Sequence, residues 1–356
     1  MKRLAVVVLA VLLWAPVSRM AAQEPAQAAK AVAEEGVRLY DQGRYEEAIQ
    51  KYNRALEIDP GLTAVLYERG MTYLVLKNYD KCMEDARAGQ KASASQRASF
   101  FLLEGLCYSQ QGIYEKAVET FNRGLKEYPG DEQLHFNLAV SLSRAGKFQE
   151  ARSQYKEVLR INPARASAIY SLALIFQQKS YDMPALFMYL RFLMAEPDTE
   201  RSSAAVNHML SIVGKYYPKQ KGKNINIYFS TDNPVDEGDF GSLRLALSIS
   251  GAVPHEEKQS IADSIVNMLK TTLEITGEHD KPPLNQTFVW KEALAPLINM
   301  QRDHVLEAFL YRELSLRRID GVQSWLEEHT KEQQSLAEWL ARHDKGAATP
   351  IVLPAE

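Results

Sequence analysis

Neighbouring histidine and acidic residues are the first candidates for metal or acid–base chemistry in this chain of 356 residues. His255-Glu256-Glu257 and His279-Asp280 are two such groups, but neither contains the two histidines four residues apart of a zinc-protease helix. The seven histidines are scattered singly, which is typical of surface and helix-end positions. The sequence therefore predicts no metal site and no cofactor.

Motifs for nucleophilic catalysis and for phosphate binding are also missing from the sequence. It contains no GxSxG, no Walker loop and no dinucleotide fingerprint, and the stretch GDFGS at Gly238 is too short to indicate a phosphate site. The many Asp and Glu residues are typical of solvated helix faces. We therefore predict that the protein is not an enzyme.

Composition and charge place few limits on the partner. The chain is 46% hydrophobic and 24% charged, which is ordinary for a folded protein. Its formal net charge of -3 gives no overall positive field that would attract nucleic acid. The prediction therefore includes no nucleic-acid partner.

The first residues resemble an export signal. Lys2-Arg3 precede the apolar run LAVVVLAVLLWAPV, which is shorter than the roughly 20 residues of a membrane span. Ala21-Ala22 supply small residues for cleavage, although Met20 fits that pattern poorly. We predict a signal peptide over residues 1–22, export to the periplasm or the medium of a bacterium, and a linker over residues 23–28. Retention of the apolar segment as an anchor is the alternative.

A small residue recurs at nearly constant spacing along the next part of the chain. The intervals are 34, 35, 34 and 34 residues, between Gly36, Gly70, Gly105, Ala139 and Ala173. An aromatic residue follows each of them near a turn, one residue early in the last copy: Tyr45, Tyr79, Tyr114, Phe148 and Tyr181. A second small column follows: Ala48, Cys82, Ala117, Ala151 and Ala185. Each period thus predicts two short amphipathic helices joined by a tight turn.

This pattern resembles the tetratricopeptide repeat family, whose period is 34 residues. The agreement covers residues 29–198, about half of the chain. The resemblance implies an all-α, right-handed superhelical solenoid, because no single helix pair can bury its own apolar face. The predicted units are residues 29–62, 63–97, 98–131, 132–165 and 166–199, followed by a capping helix over residues 200–218.

The second copy departs from the pattern. Ala86 replaces a bulky residue, Gly89 lies where the first copy has Ala55, and Ala94 replaces the closing proline. We therefore expect looser packing or a small bend in the second helix of this copy and at the junction from Lys91 to Ser99.

The resemblance implies that the first helices of the pairs line a concave binding surface. Three residues before and one residue after the small residue, the sequence places apolar or aromatic side chains: Tyr67, Met71, Leu102, Leu106, Phe136, Val140, Tyr170 and Leu174. We predict that this row binds a helix or an extended segment of a protein or peptide. The Lys and Asn cluster with which some family members clamp a terminal carboxylate is absent there. The alternative is that the chain's own N-terminal or C-terminal segments cover the row, or that it packs between adjacent first helices.

The two cysteines lie on adjacent predicted helices. Cys82 belongs to the second helix of the second unit, and Cys107 belongs to the first helix of the third unit. In one interpretation they form a disulfide across the irregular junction in an oxidising compartment. In the other interpretation, which the sequence alone favours, they are two buried thiols that behave as small apolar side chains.

After Pro197 the period is lost. Residues 219–240 contain the strand-like run INIYFS and many turn residues, which predicts a linker. We predict that residues 241–343 form a helical domain or, alternatively, degenerate helical pairs that continue the array, and that residues 344–356 form a disordered tail. The helices predicted within residues 241–343 are residues 256–275, residues 288–318 with a kink at Pro296, and a last helix capped by Asp320.

The sequence predicts an exported scaffold protein whose repeats bind another protein or a peptide. The expected role is that of an adaptor in envelope or secretion assembly, with peripheral association with an envelope complex. The alternative is that the C-terminal helical region is an enzyme or ligand-binding domain with the repeats as its adaptor. The sequence does not fix the oligomeric state.

Overall fold

The computed structural model describes residues 25–92, 95–216, 237, 240–252, 260–278 and 286–343. Within these ranges the regular elements are helices, as the sequence predicts. The predicted signal peptide, the strand-like run INIYFS and the C-terminal tail lie outside the described residues. No helix in the described ranges combines the length and the apolarity that crossing a membrane requires.

The chain divides into two compact units, one that ends at Gln154 and one that begins at Tyr155. In the first unit, successive helices pack against each other and are joined by short turns. Its helices are α1 (residues 25–41), α2 (Tyr45–Ile58), α3 (Thr63–Val75), α4 (Tyr79–Ala92), α5 (Arg97–Gln110), α6 (Tyr114–Glu127), α7 (Glu132–Arg144) and the first part of α8 (Phe148–Ile161).

Close helix crossings explain the recurring small residue. A Cβ atom added at Gly36 would lie 2.6 Å from the ring of Tyr52, and one added at Gly105 would lie 2.2 Å from the ring of Phe121. Both distances are shorter than any real contact, so the aromatic ring of the second helix occupies the space that a side chain would need. The small residue of one helix and the bulky residue of the next therefore form one packing unit.

The second copy is not loosely packed in its second helix, and that expectation was wrong. α4 is a regular helix of 14 residues. Gly89 is small because Phe100 of α5 lies against it, with ring atoms 2.1 Å from where a Cβ would be. Ala86 and Phe100 are both fully buried in the same cluster. The unusual residues of this copy thus make room for an aromatic ring from the next repeat.

A disulfide joins Cys82 of α4 to Cys107 of α5. The two Cα atoms are 6.5 Å apart, and both residues are fully buried in the cluster that contains Phe100 and Leu103. The structure therefore agrees with the first interpretation of the cysteines, a disulfide, and not with two buried thiols. It connects the second repeat to the third beside the irregular junction.

The second unit holds the rest of α8 and the helices that follow it. α11 corresponds to the predicted capping helix. The elements are α9 (Ala166–Gln178), α10 (Asp182–Ala195), α11 (Glu200–Tyr216), α12 (Gly241–Ala252), α13 (Ile261–Glu278), a π-helical turn (Trp290–Leu294), α14 (Ala295–Arg302), α15 (Leu306–Leu314), α16 (Val322–Glu328) and α17 (Thr330–His343).

The C-terminal helices pack onto the last repeat within one compact unit. The π-helical turn contacts α10, and the rings of Phe187 and Phe240 are 6.4 Å apart. Arg317 donates to the carbonyl oxygen of Ser203 at 2.6 Å. Glu237, which lies in the predicted linker, is fully buried. The C-terminal helices thus contact α10 through apolar side chains and α11 through the Arg317 hydrogen bond.

Two long helices predicted for the C-terminal region are interrupted in the structure. At Pro296, where the sequence predicts a kink, a π-helical turn passes into α14, and the amide of Ala295 donates to the carbonyl oxygen of Trp290. A break that the sequence did not predict lies at His304, whose φ is 58°. Asp320 does not cap the last helix, because Gly321 is the N-cap of α16.

The predicted linker over residues 23–28 also differs from the structure, in which α1 already begins at residue 25. The sequence from Pro25 onward is rich in Ala and Gln, which favour helix, and proline is tolerated in a first helical turn. This segment therefore extends the first helix of the first repeat.

Candidate functional site

The structure brings six of the eight predicted binding residues together in the first unit. α3 packs against α5, and α5 packs against α7. Ser141 Oγ donates to Ser109 Oγ at 3.2 Å between α5 and α7, and Thr63 Oγ1 donates to Gln96 Oε1 at 2.6 Å beside the start of α5. These first helices carry the α3–α5–α7 stripe, which consists of Tyr67, Met71, Leu102, Leu106, Phe136 and Val140.

All six side chains of the stripe are half-buried. Tyr67 lies edge-on to Phe100 with ring centroids 6.1 Å apart, and Met71 packs on the cluster around the disulfide. Val75 at the end of α3 is 41% exposed. The stripe therefore rests on the core with one side and keeps apolar surface exposed on the other. The packing of Tyr67 and Met71 on the core agrees with the interpretation that the row contributes to helix packing, and ligand binding by the stripe stays a prediction.

The other two predicted residues lie in the second unit. Tyr170 packs between α9, α10 and α11, with its ring 4.9 Å from that of Phe192 and the Arg201 guanidinium 5.4 Å from its centroid. Burial raises the pKa of the Tyr170 hydroxyl. Leu174 is 37% exposed. Tyr170 is thus held by neighbouring side chains of its own unit, and truncating it will disturb that packing.

Acidic and phenolic groups gather at the α3 end of the stripe. Burial raises the pKa of Glu68 on α3, and the negative charge of nearby Asp41 raises it further. The phenol of Tyr40 acts electrostatically on Tyr67, and burial raises the pKa of both hydroxyls. The two carboxylates repel each other, so a positively charged group of a bound segment would be stabilised here.

Sequence reasoning missed ion pairs at the residue directly before the recurring small residue. Arg69 donates to both carboxylate oxygens of Asp85 at 2.9 and 2.5 Å, and to Asn53 at 2.6 Å. Burial raises the pKa of Asp85, although the Arg69 guanidinium acts in the opposite direction. The available signal was that this column is charged in the first three copies and leucine in the last two: Glu35, Arg69, Glu104, Leu138 and Leu172.

The equivalent residue of the third copy, Glu104, is buried and surrounded by donors. Arg87 Nε and Gln90 Nε2 each donate to its carboxylate at 2.9 Å, and Arg123 Nη1 lies 3.7 Å away. Arg87 Nη2 also donates to the hydroxyl of Tyr108 at 2.7 Å. These residues line a surface cavity between α4, α5 and α6.

Two histidines of the described residues, His135 and His329, contact neighbouring groups within the fold. The ring nitrogens of His135 lie 2.7 Å from Gln154 Oε1 and 2.9 Å from the carbonyl oxygen of Pro129. His329 stacks on Trp325 with ring centroids 4.2 Å apart. No three His, Cys, Asp or Glu side chains gather as metal ligands in the part of the chain that the structure describes. His255 and His279 lie outside that part.

Family models match three overlapping or adjoining stretches of the chain. A model described as "TPR repeat" matches residues 36–76, and two described as "Tetratricopeptide repeat" match residues 67–132 and 132–165. All three lie within the part of the sequence where the recurring columns predict repeats.

Curated relatives resemble the same part of the chain. Human tetratricopeptide repeat protein 16 is 26% identical over 179 residues, which cover 47% of this chain and 20% of the relative. The Hsp70-Hsp90 organising protein of Plasmodium falciparum is 23% identical over 159 residues, which cover 36% of this chain and 28% of the relative. The chain therefore spans less than a third of the length of these two relatives.

Solved structures similar to the chain are also tetratricopeptide repeat proteins. YrrB, whose crystal structure is described as having an unusual peptide-binding site, is 22% identical with a TM-score of 0.39, over 49% of this chain and 89% of that one. TTC0263 of Thermus thermophilus is 20% identical with a TM-score of 0.43, over 51% and 99%. The three family models and the recurring columns agree. Residues 36–165 belong to the tetratricopeptide repeat family.

Proposed function

We propose that this protein is an exported adaptor that binds an apolar segment of a protein or peptide on the α3–α5–α7 stripe. One observation carries the proposal: six apolar side chains on three neighbouring first helices are only partly buried. Rows of exposed apolar side chains on folded proteins usually mark interaction sites. Proteins built from these repeats generally bind protein or peptide partners, so the stripe and the family point to the same kind of function.

The geometry favours a helix or an extended segment as the ligand. A helix would place apolar residues three and four positions apart against the row, and an extended chain would place alternate residues there. The carboxylates of Asp41 and Glu68 at the α3 end favour a basic residue at the corresponding end of the ligand. The proposed ligand is therefore an apolar segment with a basic residue beside it.

Two features support export as part of the proposal. Lys2-Arg3 and the apolar run that follows have the composition of a signal peptide. The Cys82–Cys107 disulfide fits an oxidising compartment, since cytosolic proteins rarely keep such bonds. We place the protein in the periplasm or outside a bacterial cell, in peripheral association with an envelope complex, and we propose that it acts by binding and not as an enzyme.

A peptide selection tests the binding site. A random peptide display library is panned on the protein, and the affinity of a selected peptide is measured by calorimetry. Leu106→Glu puts a charge in the middle of the stripe and should weaken binding about thirtyfold, as expected for loss of a central contact worth about 2 kcal/mol. Ile113→Glu is the matched control, because Ile113 is also apolar and is 37% exposed but lies outside the stripe.

The control should change the affinity less than about twofold, within the ordinary effect of a surface substitution. Circular dichroism must show that both variants keep their helices. Equal affinities for the wild type and Leu106→Glu would move the ligand away from the stripe and contradict the proposal.

N-terminal sequencing tests export. Protein recovered from the envelope fraction or the medium should begin near Gln23. An intact Met1 on protein confined to the cytoplasm would contradict this part of the proposal.

A further inference from the structure

We propose that the cavity between α4, α5 and α6 is a second binding site, which takes an acidic segment of a protein partner. The cavity measures about 560 Å³, within the size range of ligand sites. Five basic side chains line it: Arg87, Lys91, Arg97, Lys116 and Arg123. The three arginines form ion pairs with acidic residues of the repeats, whereas the two lysines form none with the described residues.

The cavity and the stripe use different faces of α5. Leu102 and Leu106, four residues apart, belong to the stripe, whereas Phe101, Glu104 and Tyr108 line the cavity. At 100° per residue, the two sets point in nearly opposite directions around the helix axis. A ligand in the cavity would therefore leave the stripe free.

Buried Glu104 holds two of the arginines in place. Its side chain is 4% exposed and accepts from Arg87 at 2.9 Å, with Arg123 at 3.7 Å. Both arginine side chains remain about half exposed, at 54% and 48%. A guanidinium carries five N–H donors in a fixed plane, and Glu104 engages only part of them. The remaining donors are already oriented for an incoming carboxylate, which lowers the entropy lost on binding.

The two lysines supply positive charge that the protein does not neutralise. Among the described residues neither Lys91 nor Lys116 has a carboxylate partner, and the Lys116 ammonium instead lies 5.6 Å from the ring centroid of Tyr108. Five basic and three acidic residues line the cavity, so its formal charge is +2. This small excess suits two carboxylates of a peptide better than a polyphosphate or a nucleic acid, whose binding rests on many cations.

Fluorescence anisotropy with a labelled hexapeptide that contains four glutamates tests the proposal. We expect saturable binding that weakens as salt is added, because charge attraction drives it. The double variant Lys91→Glu/Lys116→Glu should weaken it at least about tenfold. The control, Lys81→Glu/Lys126→Glu, changes the same helices by the same charge outside the cavity and should lower the affinity less than about twofold.

Three results would overturn the proposal. The first is no binding at about 1 mM peptide, and the second is an equal loss in the two double variants, which would indicate non-specific attraction. The third is displacement of the peptide by inorganic pyrophosphate below the peptide's own dissociation constant, which would indicate a phosphate site. Leu106→Glu should leave this affinity unchanged, so failure of the stripe proposal and failure of the cavity proposal are distinguishable.

Discussion

The outer helices of two repeats, α6 in the first unit and α10 in the second, occupy the same place in their repeats but differ in what surrounds them. Only Ala117, Thr120, Phe121 and Gly124 of α6 are buried. In α10 an unbroken run from Asp182 to Leu190 is buried, together with Phe192 and Leu193. A helix that is apolar all round must be covered on every side, and the C-terminal segments cover α10.

Single positions show the same difference. Counting from the aligned small residues Ala117 and Ala185, Glu119 of α6 corresponds to Phe187 of α10. Glu119 is exposed and lines the basic cavity, whereas Phe187 is 1% exposed and lies against Phe240. One repeat scaffold thus supports either an open charged face that can bind a ligand or an apolar face that the rest of the chain occupies.

The largest expected effect is a loss of stability when the buried side chain of Phe187 is truncated. Phe187→Ala should lower the free energy of unfolding by about 4 kcal/mol, since it removes a fully buried ring. Glu119→Ala at the equivalent exposed position should change it by less than about 0.5 kcal/mol. Urea unfolding followed by circular dichroism measures both. Similar losses for the two variants would mean that α6 and α10 do not differ in burial as described.

The disulfide of the first unit gives the next effect. Its cysteines are 25 residues apart, and the chain-entropy model assigns such a loop about 3.5 kcal/mol. Cys82→Ala/Cys107→Ala should therefore unfold at lower urea concentration than the wild type. A reductant should destabilise the wild type and leave the double variant unchanged. Two titratable thiols in unfolded wild-type protein that was never reduced would show that the bond is not formed.

Among the buried carboxylates, Glu104 of the first unit and Glu313 of the second have different surroundings. Glu104 in the first unit accepts from Arg87 and Gln90. Glu313 in the second unit is 1% exposed, and its side-chain donors among the described residues are both on Arg312. Burial raises the pKa of Glu313 from 4.5 to about 7, with Arg312 acting in the opposite direction.

The raised pKa of Glu313 predicts that the free energy of unfolding depends on pH. Because the pKa of Glu313 is higher in the folded protein, the folded state holds this proton more tightly than the unfolded state. The contribution of Glu313 to stability is therefore complete below pH 4.5 and is lost as the pH rises to about 7. The loss amounts to about 3 kcal/mol at 1.36 kcal/mol per pKa unit.

Glu313→Gln cannot titrate, so urea unfolding at several pH values should show its stability rising relative to the wild type by that amount between pH 4.5 and about 7. Glu332→Gln, at an exposed position of α17, is the control and should leave the pH dependence of the wild type unchanged. A constant difference between Glu313→Gln and the wild type across this range would contradict the shifted pKa.

The repeat half was predictable from sequence because its packing is periodic. The glycine at 36 and the tyrosine at 52 recur as glycine at 105 and phenylalanine at 121, and the structure puts each ring against its glycine. The sequence also showed which residues of the second copy depart from the pattern, but it did not show the structural reason for them. Gly89 is small because of Phe100, a residue of the next repeat, and the pattern within one copy does not show that contact.

The C-terminal half was less predictable because its contacts are not periodic. The uniform apolarity of α10 was a signal that something covers this helix, but it did not identify Phe240 as part of the cover. For the candidate site, the apolar row could be read from the spacing. The basic cavity could not, because its cations come from three helices and are spaced irregularly in the sequence.

The most direct test of the stripe as the partner site is site-specific photo-cross-linking in the native cells. Benzoylphenylalanine is placed at Leu106 in the stripe and, in a second protein, at Arg54 on the exposed face of α2, outside both proposed sites. If the stripe is the partner site, position 106 should give a cross-linked protein partner and position 54 should give none. Cross-linking from position 54 with none from position 106 would contradict the stripe as the partner site.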